Sequence, residues 1–299
     1  MSQSENEIYH NEPKQYKKYS FKEKKKFTVH SGCDSIQGGR QYQEDAIHIE
    51  MDAMKHIPLC SQKDKIDHLH YFAIFDGHNG KESSLKCSEI MHYEILEDPD
   101  FINGYFDHCL VNSYYRMDNL LCNKLVEDKS GTTSIISVIY NRFLVVSNVG
   151  DSECLLIKRR TLGSYTSNNV DVLSKKHNPK DEDEKKRVKE KGGILFNNRI
   201  YGQLAVSRSL GDKSYKGKGV VIPDPYINVY ELTSDDKIII LACDGIFEKM
   251  EYDDVMEFVI ERLEEGLTAE DTAKALTNVA YERGSRDNCS CIVVVLNWS

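Results

Sequence analysis

The sequence has 299 residues with 39 basic and 48 acidic side chains, a net charge of -9. That balance argues against a general nucleic-acid binder, which needs a basic stripe, and no run of about 18 apolar residues occurs that could span a membrane. Nine cysteines without regular spacing fit small buried hydrophobes in a reducing compartment better than a disulfide framework.

The first 26 residues are charged and nearly free of aliphatics, and predict a polar arm, mobile or loosely docked. Its start, MSQSENEIYHNEPKQYKKYS, has no signal-like apolar stretch, and Ser2 stands where myristoylation needs glycine. A cytoplasmic protein is expected; the Lys24-Lys25-Lys26 run leaves a nuclear address open, although such runs are usually solvated. No Pro-, Gly- or Ser-rich linker divides the remainder, so 27–299 reads as a single domain.

Short β-rich runs follow at 27–33, 45–51 and 71–76, with a polar loop at 52–69. The recurrence of Leu85, Ile90 and Ile95, then Phe106, Leu110, Tyr114 and Met117, predicts a helical block over 80–126. Residues 132–158 read as three strands, two joined by a tight turn at Asn141-Arg142 and the third entered after Gly150-Asp151. DEDEKKRVKEKGG at 181–193 predicts a helix with acids at its start, bases at its end and glycine at its stop. A strand at 237–244, helices at 251–264 and 268–282 and a strand at 291–296 complete the pattern. Grouped strands and grouped helices indicate an α+β fold with helices covering antiparallel sheets.

Several apolar runs terminate in acids: YFAIF before Asp76-Gly77, LVVSNV before Gly150-Asp151, and IIILAC before Asp244-Gly245. CIVVVL is entered just after Asp287-Asn288, and AIHI just after Glu44-Asp45. Asp-Gly is an ordinary turn signal, but five strand-end acids with almost no base beside them would repel one another unless a cation sits among them. Oxygen donors without cysteine select a hard ion, Mg²⁺ or Mn²⁺, over zinc. Arg40, four residues before Glu44, suits bidentate phosphate binding, although alone it reads equally as a surface ion pair. His78, two residues past Asp76, is placed to donate a proton to a leaving alcohol.

Rival chemistries are weaker. Cys154 and Arg160 have the spacing of a cysteine-dependent phosphatase, but LLIKR between them reads as strand and cannot wrap phosphate. GHNGKES lacks the glycine spacing of a phosphate loop. A zinc site from His56, Cys60, His68 and His70 would lie in a loop without a scaffold.

An ordered series of segments resembles the type-2C metal-dependent serine/threonine protein phosphatases: RQYQED (40–45), FAIFDGHNG (72–80), SGTTSIISVI (130–139), VVSNVGDSE (145–153), LSKKHNPKDEDEKKRVKEKGG (173–193), IYGQLAVSRSLGD (200–212), PDPYI (223–227), IIILACDGIFE (240–248) and GSRDNCSCIVV (284–294). The resemblance implies a β-sandwich of two antiparallel sheets flanked by α-helices, a four-layer αββα fold, with two Mn²⁺ or Mg²⁺ ions in a cleft at one end. It also implies a monomer acting on phosphoproteins, with neither membrane nor nucleic acid as partner.

By position, Asp76 corresponds to the bridging metal ligand with the Gly77 carbonyl beside it. Glu44 corresponds to one metal site, Asp244 and Asp287 to the other, Asp45 to a neighbour of Glu44, and Asn288 to a residue behind the ligands. Arg40 corresponds to the phosphate-binding arginine and His78 to the general acid. Water would attack phosphorus directly, without a phosphoenzyme. A weaker third metal would map onto Asp151 and Glu248, the latter standing where Asp is common. Asn79 replaces a small residue, Cys243 stands where Ser or Cys is usual, and 175–220 corresponds to a flap beside the cleft. A metal-binding signalling module of the same fold, without catalysis, is the alternative.

Overall fold

The computed structural model describes residues 16–20, 26–57, 65–125, 129–158 and 169–299. Lys24 and Lys25, Cys60 and Arg160 fall outside these residues. In chain order the strands are β1 (Phe27–Ile36), β2 (Ala46–Glu50), β3 (Leu69–Phe75), β4 (Gly77–His78), β5 (Gly131–Thr132), β6 (Ser134–Tyr140), β7 (Phe143–Val149), β8 (Glu153–Lys158), β9 (Val170–Val172), β10 (Leu195–Phe196), β11 (Arg199–Ile200), β12 (Leu210–Gly211), β13 (Tyr226–Glu231), β14 (Asp236–Ala242) and β15 (Cys289–Trp298). The α-helices are α1 (Glu82–Leu96), α2 (Pro99–Ile102), α3 (Phe106–Leu120), α4 (Glu182–Glu190), α5 (Asp244–Phe247), α6 (Tyr252–Glu264) and α7 (Ala269–Glu282).

Two five-stranded sheets, ordered β1-β15-β14-β8-β9 and β13-β7-β6-β3-β2, pack face to face. Every pairing within them is antiparallel. Successive side chains of a strand point to opposite faces, so a sheet covered on both sides must be apolar throughout, as FAIF and IIILA are. Phe72 and Ile74 meet Leu156, Ile239, Leu241 and Val294 between the sheets. Their neighbours Tyr71, Ala73 and Phe75 turn the other way, onto Met91 and Ile95 of α1 and Leu110 and Tyr114 of α3. Ile240, Ala242 and Val293 face Val255 and Val259 of α6 and Leu276 of α7. Each fully buried large side chain contributes roughly 1.5–3 kcal/mol. The result is the expected four-layer αββα sandwich.

Some expectations need correction. Leu85, read as part of the helical core stripe, is 37% exposed; α1 instead buries Cys87, Met91 and Ile95. β13 was not foreseen, because YINVYE is only half-buried along its length. Within the polar arm, Tyr19 is held: its amide bonds the Gly104 carbonyl at 3.0 Å, and its ring lies 5.4 Å from Phe106 and 5.5 Å from Phe143.

The flap has its own small core of Val188, Ile200, Leu204, Val206, Val220 and Val221. Helix α4 starts where the Asp181 carboxylate accepts from the amides of Asp183 and Glu184 at 3.1 and 3.0 Å, a standard N-cap. The Arg187 side chain is only 20% exposed and turns into the flap. Its guanidinium donates to the Ser207 carbonyl at 2.8 Å, to the carbonyls of Gly219 and Val220 at 3.1 Å, and to Glu184 at 2.9 Å. It pins the flap from inside.

Candidate active site

Strand register explains why distant acids meet. Ala46 of β2 is paired with Phe75 of β3, so the entry to β2 lies beside the exit of β3 and brings Glu44-Asp45 to Asp76-Gly77. Ala242 of β14 faces both Cys291 of β15 and Glu153 of β8. Asp244, Asp287 and Asp151 therefore gather at the same end of the adjoining sheet. A cleft of about 300 Å³ opens there, lined by Arg40, Glu44, Asp76, Gly77, His78, Asp151, Asp244 and Asp287, with Arg199 and residues 203–206 of the flap on its other wall.

The loop carrying Arg40 and Glu44 is braced by Asn288. Its side-chain amide donates to the carbonyls of Gln37 and Tyr42 at 2.7 and 3.0 Å, and its oxygen accepts from the Glu44 amide at 3.0 Å. Arg40 reaches across the mouth to Asp287, Nη2 to Oδ2 at 2.5 Å. The Glu44 carboxylate accepts from the Gly80 amide at 2.7 Å. Gly77 is obligatory: a Cβ there would stand 2.3 Å from the Glu44 carbonyl oxygen. Asn79 has φ +58°, a left-handed conformation that asparagine tolerates better than other side-chain-bearing residues, which accounts for asparagine where a smaller residue is usual.

Asp76 is held by residues that the sequence reading left without a role. The Thr133 amide and the Thr132 hydroxyl donate to the Asp76 carbonyl at 2.9 and 3.0 Å. Cys243 is buried, donating to the Asn288 carbonyl and accepting from the Ser290 amide. Glu248, on the turn that follows Asp244, does not line the cleft and is paired with Lys249 at 3.1 Å.

A second omission is Asp212. His78 Nε2 lies 2.7 Å from Asp212 Oδ2, which also accepts from the Ser209 hydroxyl at 2.6 Å. Asp212 is fully buried and packs so tightly on Gly131 that a Cβ there would meet its carboxylate at 2.2 Å. The only sequence signal was the Gly-Asp pair closing SRSLGD, with nothing to link it to a histidine 134 positions away.

The electrostatics of the deepest acids are set by burial and mutual repulsion. Burial, then repulsion from Asp45, Asp244, Asp151 and Asp287, pushes the Asp76 carboxyl well above its usual range. Burial and the charges of Asp151, Asp287 and Asp45 push Asp244 up to about 8. Burial raises Asp45 to about 6 despite a 2.6 Å hydrogen bond from Ser290, and its Oδ1 is buried without a partner. No three His, Cys, Asp or Glu among the described residues stand in a closed ligand cage. The orphaned Asp45 oxygen, the all-oxygen donor set and the upward shifts nevertheless fit a hard divalent cation.

Among the described residues, the members of the rival sites do not converge. Cys154 is fully buried in the sandwich, and its thiol is pushed up by burial alone, the opposite of a reactive cysteine. His56 turns to Glu50 at 3.3 Å, His70 Nδ1 lies 2.6 Å from the Met51 carbonyl, and His68 stacks on Phe27.

Residues 29–289 match the family model of protein phosphatase 2C. The chain belongs to the protein phosphatase 2C family. Within it, protein spalten of Dictyostelium discoideum is 35% identical over 280 residues, 92% of this chain but 28% of that protein, so this protein phosphatase 2C chain spans about a quarter of that relative's length. The probable protein phosphatase 2C 8 of Arabidopsis thaliana is 30% identical, over 91% of this chain and 80% of its own. The solved structure of a C. elegans sex determining protein matches with a TM-score of 0.75 at 25% identity, covering 89% of this chain and 64% of that one. Among the described residues, no helix of this protein phosphatase 2C member is long and apolar enough to cross a membrane.

Proposed function

We propose that the chain is a metal-dependent protein serine/threonine phosphatase that hydrolyses phosphoserine and phosphothreonine in protein substrates. The observation that carries this reading is the convergence of Asp76, Asp244, Asp287 and Glu44 in one cleft, with the Asp76 and Asp244 carboxyls pushed upward by burial and by neighbouring acids. Asp76 and the Gly77 carbonyl would hold two Mn²⁺ or Mg²⁺ ions jointly, with Glu44 and Asp45 on one side and Asp244 and Asp287 on the other; Asp151 and Glu248 would serve a weaker third. Bound there, the ions would supply Lewis acidity toward the phosphoryl oxygens and lower the pKa of a water.

Arg40, 55% exposed at the cleft mouth, would exchange its contact with Asp287 for the phosphate oxygens as substrate enters. His78 would hand a proton from Nδ1 to the departing serine or threonine oxygen, its Nε2 kept bonded to Asp212 throughout. Asp212 would thereby orient the ring. Asn288 and the two threonines would keep the loop and Asp76 from shifting as charge builds on phosphorus.

The test is hydrolysis of p-nitrophenyl phosphate and of a phosphothreonine peptide with and without added Mn²⁺. EDTA is expected to abolish turnover and Mn²⁺ to restore it, while thiol alkylation leaves most activity intact. Turnover that persists in EDTA would sink the metal-dependent reading, and a chain that binds Mn²⁺ without hydrolysing either ester would be the signalling module instead.

A further inference from the structure

His78 is oriented from two strands away. β12, β5 and β4 form a small three-stranded sheet in that order, in which Gly131 of β5 stands opposite both His78 of β4 and Gly211 of β12. The strand between His78 and the Gly211-Asp212 step therefore carries no side chain at that level, and the Asp212 carboxylate crosses the bare position to reach the ring. Its own hold is thin. Oδ2 meets His78 Nε2 and the Ser209 hydroxyl, while Oδ1 is buried without a partner. Gly211 and Asp212 both have positive φ, 78° and 51°, a conformation that side-chain-bearing residues disfavour. Where Asp212 points thus depends on what fixes the backbone around it.

One ion pair fixes that backbone at two points. Lys216 Nζ donates to the Ser209 carbonyl at 2.5 Å and lies 2.9 Å from Asp118 Oδ1, which also accepts from the Gly211 amide at 2.9 Å. Asp118 belongs to α3, anchored in the core by Leu110, Tyr114 and Met117, so the turn before Asp212 is tied to a rigid helix. The Asp118 and Lys216 side chains are 13% and 16% exposed, and neither lines the cleft. A buried pair of this kind often adds little stability over apolar side chains of similar volume. What it supplies here is direction, through its two bonds to the backbone just ahead of Asp212. We infer that Asp118 and Lys216 are positioning residues for proton donation: they hold the 209–212 turn so that Asp212 keeps His78 aimed at the leaving oxygen. This rests on the phosphatase reading and on the role of His78 within it.

The test is a double-mutant cycle between Lys216→Met and His78→Ala. It is read on a phosphothreonine peptide, whose leaving alkoxide needs a proton, and on p-nitrophenyl phosphate, whose phenolate departs readily without one. Because a small misplacement of a reacting group is costly, Lys216→Met is expected to lower kcat on the peptide by about tenfold with KM little changed, and on p-nitrophenyl phosphate by no more than about twofold. With His78 already alanine, Lys216→Met should slow the peptide no further, since effects that run through one residue do not add. Asp118→Asn keeps an oxygen for the Gly211 amide; it should show the same selectivity at about threefold, and it carries the test if Lys216→Met does not fold. Equal losses on the two esters, or a loss on the peptide that persists undiminished in the His78→Ala background, would overturn the proposal. Should His78→Ala itself slow both esters alike, the role of His78 fails and the positioning role with it. Failure of wild type to hydrolyse either ester with Mn²⁺ would instead break the phosphatase reading beneath both.

Discussion

Glu184 in the flap and Asp244 in the cleft are both buried carboxylic acids, and they shift in opposite directions. Burial alone would raise Glu184, but hydrogen bonds from Arg208 (Nε at 3.0 Å, Nη2 at 2.6 Å) and the Ser207 hydroxyl (2.6 Å), with Arg187 alongside, overcome it and hold the pKa down to about 2. Around Asp244 burial is reinforced by further acids, and the pKa is pushed up to about 8. The flap supplies its own countercharge and is complete as folded. On the proposed reading the cleft would take its countercharge from solution, which would separate a structural acid from one kept for chemistry.

The sharpest way to break this contrast is to remove one acid from each side. Asp76→Asn is expected to cut p-nitrophenyl phosphate turnover by about a thousandfold or more, several kcal/mol of lost charge stabilisation, and to leave the metal-free protein as stable as wild type or more so. Mn²⁺ should raise the melting temperature of wild type by mass action and do so much less in the variant. A variant that keeps near-normal turnover, or that unfolds without metal, would place Asp76 with the structural acids. Glu184→Gln should behave in the reverse manner, losing about 3 kcal/mol in chemical denaturation because two arginines are left without their carboxylate. If it is neutral for stability, the flap does not depend on its built-in countercharge.

The smallest effect is in pH. Glu184 contributes stability that is complete above its unfolded value near 4.5 and lost as pH falls through about 2. His177 is fully buried beside this network with neither ring nitrogen hydrogen-bonded, and burial, then Arg208, pushes it down to about 3. It stays neutral in the fold while the unfolded chain gains a proton below about 6.5, so its share of stability is whole above that pH and erodes as pH falls toward 3. Urea midpoints measured at pH 7 and pH 5 should fall more in wild type than in His177→Gln. Equal slopes would remove His177 from the network.

Much of the cleft was legible because its residues sit at the punctuation of the chain. Asp76, Asp151 and Asp244 each close an apolar run that could only be a buried strand, and a turn residue there announces itself. The flap was opaque for the opposite reason. Glu184 lies in DEDEKK, where an acid bound by two arginines looks like any solvated acid of a helix start, and Arg208 and Ser207, which identify it as buried, stand more than twenty residues away. Asp212 was invisible because its meaning depends on His78, and β13 because an edge strand carries only half the burial signal of a central one.

The strand that completes the cleft follows every other strand of the two sheets in chain order. β15 lies between β1 and β14, paired along ten residues with β1 from Phe27↔Trp298 to Ile36↔Cys289, and it is the strand that sets Asp287 and Asn288 against Arg40 and Glu44. A nascent chain that has made everything through α7 still lacks the middle of one sheet and the brace of its active loop. Assembly of the cleft is therefore tied to synthesis of β15, and a growing polypeptide that stops short of it would have no site with which to act on its neighbours.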